Sequence, residues 1–382
     1  MNFQSVPASA VSFHAVGARG VLFDGNQQKL YLLNRTAGFI WCCLMDGMDR
    51  TQIVRELVSR SNTDPAMAEE CVNLALDNWR ALGLVDPQGD AVTLSLPDRQ
   101  VTQPVPADSD MVCRVADAVI ALRFSSPELA RKAWPLLRAH QADGLLAVQA
   151  VLDIEQVDDG VVLRRGNEVM QIAHGDESIA PAVFASLIRL ALEYVGYHPA
   201  LHAAAVRGRH GAVLFAGASG RGKSTLMASL LAEGQDVLCD DTVLLEPGLQ
   251  HIRPVTPYLC IKAGAWPVLE ERLPELASLP IYTRPDGHRA RYLCVDPLRT
   301  DHGHEVSAIV FPQYQAGARP RMTRIGGFLA LRALLPSLDP IGQPLNAGSV
   351  ERLIEWLGDI PCYSLNYDAL DDARAALAEL LE

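Results

Sequence analysis

The sequence predicts two units of mixed helix and strand: a small α+β winged helix-turn-helix unit, then a larger α/β unit with a parallel or mixed sheet flanked by helices. Three observations carry this. A strand hairpin and three amphipathic helices fill residues 18–86, a stretch rich in Pro, Gly, Asp and Gln follows at 87–110, and beyond it short apolar runs take turns with helical segments. A chain of 382 residues is long enough for two or three separate cores. The expected division is 1–88 for the first domain, 89–111 for a linker, 112–200 for the opening part of the α/β region and 201–382 for its main part.

In the first unit, residues 19–23 and Lys29–Leu33 read as strands joined at Asp24-Gly25-Asn26, where Gly and Asn tolerate positive φ. Thr36 is placed to cap a helix with Ile40, Trp41 and Leu44 at helical spacing, ending near Gly47. A second helix starts at Arg50 and reaches about Ser59, with Ile53, Val54 and Leu57 inward. The third, opening near Asp64, puts Ala68, Val72, Leu76 and Trp79 on one stripe and stops at Gly83. Adjacent Cys42 and Cys43 read as small buried hydrophobes. Beyond the linker, strands are expected at 118–122, 145–152, 160–164 and 201–206, and helices at 127–140 and 179–197.

Composition narrows the function. Hydrophobic residues at 49 % and charged residues at 20 % exclude a disordered chain. A net charge of −12 argues against nucleic acid as a partner, since affinity for phosphate backbones is built from clustered Lys and Arg. No apolar run is long enough to cross a bilayer, and the first 20 residues lack the charged start and apolar stretch of a signal peptide. The expectation is a cytoplasmic protein without a membrane partner. The eight cysteines form no C-x-x-C pair, so neither a zinc site nor a disulfide framework is expected. A homo-oligomer is compatible with all of this.

The strongest chemical signal lies in the main part. Gly211–Ala216 is an apolar run without alternation, as in a strand buried on both faces, and it leads into Gly217-Ala-Ser-Gly-Arg-Gly-Lys-Ser-Thr225, followed by a helix from Thr225 to about Leu231. Gly217, Gly220 and Gly222 allow backbone N–H groups to turn inward on an anion without Cβ clashes, with Ser219, Arg221 and Thr225 completing the loop. The helix adds the positive end of its dipole. Lys223 brings a point charge to the β and γ phosphates, and the Ser224 hydroxyl offers an oxygen to Mg2+. The expected ligands are ATP and Mg2+. A second strand at 236–239 ends in Asp240-Asp241, two carboxylates able to hold a metal and take the proton of an attacking hydroxyl.

His202 at the opening of a strand, the loop Gly217 to Ser224 and the Asp240-Asp241 pair together resemble the HPr kinase/phosphorylase family, over about residues 201–245, with a weaker likeness at 306–311 and 361–368. The resemblance implies a P-loop kinase fold and transfer of a phosphoryl group to a Ser or Thr hydroxyl. It implies Asp240 as general base, Asp241 as metal ligand together with Ser224, His202 beside the transferred group and Lys223 on the phosphates; the two Asp roles are exchangeable. The sequence departs from the family at 256–264, where no Glu-x-Arg-Gly segment stands, which puts HPr itself in doubt as substrate. Lys262, Arg289 and Arg291 are candidates for neutralising transition-state charge. The L-S-G-G-Q-like signature of transport ATPases is absent.

The first unit, through Leu33-Asn-Arg-Thr-Ala-Gly-Phe-Ile-Trp41, Asp46-Gly47, Ile53 and Leu82-Gly83-Leu84-Val85, resembles PqqD-like proteins, the recognition elements of peptide-modification pathways, over roughly residues 10–86. The resemblance implies capture of the leader of a ribosomally made precursor peptide as an added strand on Lys29–Leu33, leaning on the third helix between Ala66 and Leu82. Joined, the two resemblances imply a kinase for a precursor peptide. The alternatives are a kinase for another protein or a small-molecule hydroxyl, and an ATP-sensing regulator without catalysis.

Overall fold

The computed structural model describes residues 7–61, 63–85, 102–144, 147–196, 199–218, 220–246, 248–295, 303–338 and 344–382. The expected linker core at 86–101 and the loop residue Ser219 lie outside them. The chain divides into two compact units, one of residues 1–95, 326–332 and 344–359, the other of residues 96–325, 333–343 and 360–382. This differs from a division in sequence order: two late segments, 326–332 and 344–359, join the first unit.

In the first unit, β1 (Val11–Val16), β2 (Arg19–Asp24) and β3 (Lys29–Leu33) form an antiparallel sheet in the order β1-β2-β3. The hairpin is therefore two strands of three; β1 reads poorly in sequence because Ser12 and His14 interrupt its apolar residues. The helices α1 (Arg35–Met45), α2 (Arg50–Ser61) and α3 (Pro65–Ala81) follow. Asn34, not Thr36, caps α1, its Oδ1 accepting from the Ala37 N–H at 2.8 Å. Asp64 caps α3 just ahead of Pro65.

The expected stripe Ala68, Val72, Leu76 and Trp79 is buried, with Trp41 edge-on to Trp79 at 5.0 Å. Cys43 is buried but Cys42 is exposed, because neighbours in a helix point about 100° apart. The returning helix Ala347–Asp359 packs on β1 and buries Val350, Leu353 and Leu357. Just before it, Gln28 exchanges two hydrogen bonds with the Leu345 backbone, at 2.6 and 3.1 Å.

The second unit holds two main sheets. A five-stranded sheet runs Glu168–Ala173, Gly160–Arg165, Ala150–Val157, Ala118–Phe124, Met111–Val115, covered by helices Pro127–Leu137 and Asp176–Leu192. The long helix thus starts and ends earlier than the 179–197 read from its apolar residues, since Asp176 and Glu177 favour its first turn. The nine-stranded sheet is mixed. Gly211–Ala216 lies parallel to His304–Tyr314, which is parallel to Cys362–Tyr367; on its other side Ala203–Gly208 is antiparallel to it and to Val237–Cys239.

Strand direction fixes what meets at one end of this sheet. Strands 211–216 and 237–239 both run toward it, and antiparallel 203–208 begins there. The expected strand at 201–206 is broken at His202, between Ala200–Leu201 and Ala203–Gly208. The glycine-rich loop after strand 211–216, the Asp pair and His202 therefore converge although they are up to 39 residues apart in sequence. Helix Lys223–Ala232 follows the loop and buries Leu226, Met227, Ala228 and Leu230.

Candidate functional site

The loop after strand 211–216 turns on glycines in conformations that other residues resist: Gly217 at φ 139°, Gly220 at 80° and Gly222 at 89°. A Cβ on Gly217 or Gly220 would meet nothing within 4 Å, so their backbone angle and not crowding calls for glycine there. At Gly222 the reason is proximity as well, since a Cβ would stand 2.7 Å from the Tyr367 hydroxyl. Ser337 fixes the start of the loop by accepting from the Gly217 N–H at 2.7 Å, while its own carbonyl accepts from the His202 N–H at 2.7 Å. The Arg221 carbonyl accepts from the Tyr314 N–H at 3.2 Å. Neither Ser337 nor the two tyrosines carries a sequence signal; the fold brings them in from distant strands and turns.

Lys223 is 5 % exposed, and its ammonium donates to the Gly217 and Ala218 carbonyls. Burial lowers its pKa below the ordinary lysine value against the opposing pull of Asp240 and Asp241. A buried cation whose hydrogen-bond partners are neutral carbonyls has charge to offer a phosphate.

The two carboxylates differ. Asp240 is 2 % exposed and accepts from the Cys260 N–H at 3.4 Å, with the Ser224 hydroxyl near enough to favour its charged form. Burial first, and the neighbouring Asp241 second, push its pKa up to about 6. The side chain of Asp241 is 44 % exposed and pairs with His202 Nδ1 at 3.0 Å. Burial would raise its pKa, but the His202 hydrogen bond and the charges of His202, Arg284 and Lys223 outweigh that and hold it below the usual carboxylate range. Its backbone stands at φ 78°, a conformation uncommon outside glycine that Asp tolerates better than most and that recurs at functional sites.

A cavity of about 540 Å3 opens here, lined by His202, Gly220, Gly222, Lys223, Ser224, Thr225, Lys262, Tyr314, Tyr367 and others. It is large enough for a nucleotide. The site fits ATP with Mg2+ in its donor chemistry: open glycine turns, a helix N-terminus, a buried cation, and a hydroxyl beside a buried carboxylate as hard oxygen donors. Among the described residues no group of three His, Cys, Asp or Glu is placed to hold a metal ion by itself.

Of the three candidate clamps, Lys262 lines the cavity. Arg289 and Arg291 do not: strand alternation turns them over Trp266, at 5.9 and 4.2 Å from its ring centre, and Arg291 pairs with Glu270 at 2.6 Å. Arg284, missed in the sequence, acts on Asp241 instead. It sits in the turn before strand Arg289–Cys294, bonded to the Cys260 sulfur at 2.8 Å and to Asp286 at 3.3 Å.

Comparison with known proteins places the first unit. Residues 19–85 match the family described as coenzyme PQQ synthesis protein D (PqqD). Two solved structures are similar to this chain: TbiB1 in complex with the TbiA(beta) leader peptide, at 19 % identity and a TM-score of 0.21, covering 22 % of this chain and 99 % of that one; and lasso peptide synthetase B1 complexed with the leader peptide, at 22 % identity and a TM-score of 0.21, covering 22 % of this chain and 100 % of that one. No curated protein matches the chain. Among the described residues no helix is long and apolar enough to cross a membrane.

Proposed function

We propose that this chain is an ATP-dependent phosphotransferase acting on a Ser or Thr hydroxyl of a ribosomally made precursor peptide, whose leader is held by the PqqD-like unit. One observation carries the catalytic half: a phosphate loop with its buried lysine stands at the same sheet end as an Asp–His pair and a second, buried Asp. A site that only senses ATP has no use for a half-exposed carboxylate oriented by a histidine.

The geometry favours exchanging the two Asp roles implied by the resemblance. Asp240, beside Ser224 and sealed from solvent, is placed to hold Mg2+ with that hydroxyl. When bound, Mg2+ neutralises charge on the phosphate oxygens. Asp241 is the base: its carboxylate accepts the proton of the acceptor hydroxyl as that oxygen bonds to the γ phosphorus and ADP leaves. His202 donates to Asp241 and holds the carboxylate in place. Lys223, released from the loop carbonyls, follows the charge on the β and γ phosphates, and the loop N–H groups cradle them.

Two features support the peptide half. β3 pairs with β2 on one side, and its other edge is free among the described residues, as strand addition requires. On α3, Met67 and Leu74 are exposed, with Cys71 between them at helical spacing, an apolar stripe available to leader side chains. Tethering the leader raises the effective concentration of the acceptor, so the catalytic site need not bind the core tightly.

The test is incubation of the protein with ATP, Mg2+ and precursor peptides encoded beside its gene, read by mass. One added phosphate on a Ser or Thr is expected; ATP bound with no peptide phosphorylated refutes catalysis. Asp241→Asn should lower transfer by roughly 10²–10⁴-fold with ATP binding kept. Loss of Mg2+ dependence in that variant would restore the original assignment.

A further inference from the structure

Beside the nucleotide cavity lies a second one of about 310 Å3, lined by Phe184, Ala185 and Ile188 of helix 176–192 and by Tyr258, Tyr292 and Arg284. Its walls are held in place. Phe184 and Tyr258 meet edge to face at 5.7 Å, the Tyr258 hydroxyl donates to the Pro135 carbonyl at 3.1 Å, and Tyr282 packs edge-on to Tyr292 at 5.7 Å. Cys260 lines both cavities, and Asp241 lines this one, while His202 and Lys223 line the other. The carboxylate proposed as base therefore lines this cavity, and the His202 paired with it lines the other.

We propose that this cavity receives a large uncharged apolar side chain immediately adjacent in sequence to the acceptor Ser or Thr. The proposal rests on the phosphotransferase reading above. An acceptor oxygen that touches Asp241 and faces the γ phosphate must carry its carbon skeleton away from the nucleotide, and this cavity is the space on that side. Its wall is aromatic and aliphatic. Of the charged groups that line it, Arg284 is matched by Asp286 and the Cys260 sulfur and Asp241 by His202, while Arg189 is exposed to solvent, so the buried part of the cavity offers a charged occupant no unmatched partner. Its volume is at the low end of the ~300–1,000 Å3 of small-ligand pockets, room for a side chain and not for a folded segment. Consecutive residues stand about 3.8 Å apart at Cα, so the neighbour of a Ser seated at Asp241 reaches the cavity without stretching the chain. The cavity then reads the core peptide locally, separately from leader capture.

The test uses the full chain with ATP and Mg2+ and a panel of short peptides in which Phe, Leu, Gly or Asp precedes or follows Ser. A parallel set with Ala in place of Ser reports binding by fluorescence anisotropy. The expected result is transfer to Phe- and Leu-flanked Ser favoured over Gly- and Asp-flanked Ser by roughly 10-fold or more, with the same order in binding. Half-buried Ala185 changed to Phe fills the cavity; it should erase that preference while ATP affinity and transfer to the Gly-flanked peptide stay unchanged. Phe184→Ala, which enlarges it, should shift the preference toward bulkier neighbours. Transfer that ignores the neighbour, or a preference that survives Ala185→Phe, overturns the proposal. Preferential binding lost in Ala185→Phe but without transfer to any peptide leaves the cavity assigned and overturns the kinase reading; neither binding preference nor transfer overturns both.

Discussion

Asp240 should weaken the very fold that holds it. Its carboxyl, ordinarily near 3.8, is pushed up to about 6 by burial and by the Asp241 charge, against the opposing hydrogen bonds of Ser224 and the Cys260 N–H. Between pH ~4 and ~6 the folded protein therefore keeps a proton that the unfolded chain releases, so stability falls as pH rises through that window and the full cost is present above it. At ~1.4 kcal/mol per pH unit the ionised carboxylate costs about 3 kcal/mol at neutral pH. Asp240→Asn keeps an oxygen for Ser224 and the Cys260 N–H and removes the charge. The variant should match the wild type near pH 4 and exceed it by about 3 kcal/mol at pH 7.5, several degrees in Tm for a unit of this size. Scanning calorimetry at pH 4, 5.5 and 7.5 with EDTA present reads this on the transition of the second unit. Mg2+ with ATP should then raise the Tm of the wild type at pH 7.5 and have little effect on the variant. A variant less stable than the wild type at pH 7.5, or a difference that does not grow between pH 4 and 7.5, would refute the reasoning.

Further outcomes follow from single residues. Lys223→Met removes the buried cation, and the stabilisation by ATP, about 2.7 kcal/mol at a hundredfold excess over Kd in the wild type, should vanish from thermal melts. Gly222→Ala places a methyl 2.7 Å from the Tyr367 hydroxyl at a φ of 89°, so ATP affinity and Tm should both drop, by about 1–3 kcal/mol in unfolding free energy; unchanged values would mean that the loop is free to rearrange. Leu74→Asp on the exposed face of α3 should cut leader binding roughly 10-fold or more in a titration while leaving the unfolding free energy within about 0.5 kcal/mol of the wild type.

Much of the first unit was legible because its signals are local. The α3 stripe and the stop at Gly83 follow from helical spacing and glycine, whereas the hairpin turn takes its positive φ at Gln28 and not at Gly25 or Asn26. Where the reading slipped, a side chain decided among near-equal options: Asn34 outcompetes Thr36 because its amide reaches the Ala37 N–H. In the second unit, strand 211–216 stands where the apolar run placed it, and Gly217, Gly220 and Gly222 after it take the positive φ that their spacing suggested. Strand 160–165 stands close to the expected 160–164, whereas Met111–Val115 and Glu168–Ala173 of the same sheet, which mix polar and apolar residues without a clean period, were harder. What no local pattern contains is the convergence itself. His202 meets Asp241 because strand 203–208 runs against both of its neighbours, a fact of topology rather than of the residues beside it.

The same topology explains why the residues that complete the loop lie so far along the chain. Ser337, which holds the Gly217 N–H, and Tyr367, which stands against Gly222, flank residues 344–359 in sequence. That stretch belongs to the first unit, where helix 347–359 packs on β1 and the Leu345 backbone bonds Gln28. The late chain leaves the second unit after 333–343 and returns at 360 into the strand that ends at Tyr367. A deletion of residues 1–88 would strip β1 from helix 347–359 and expose Val350, Leu353 and Leu357 only a few residues from that strand. Loss of transfer on such a deletion would thus mix two causes, an absent leader site and an unsupported helix. Point changes on α3 or at the β3 edge separate them, because they leave β1 and its helix in place.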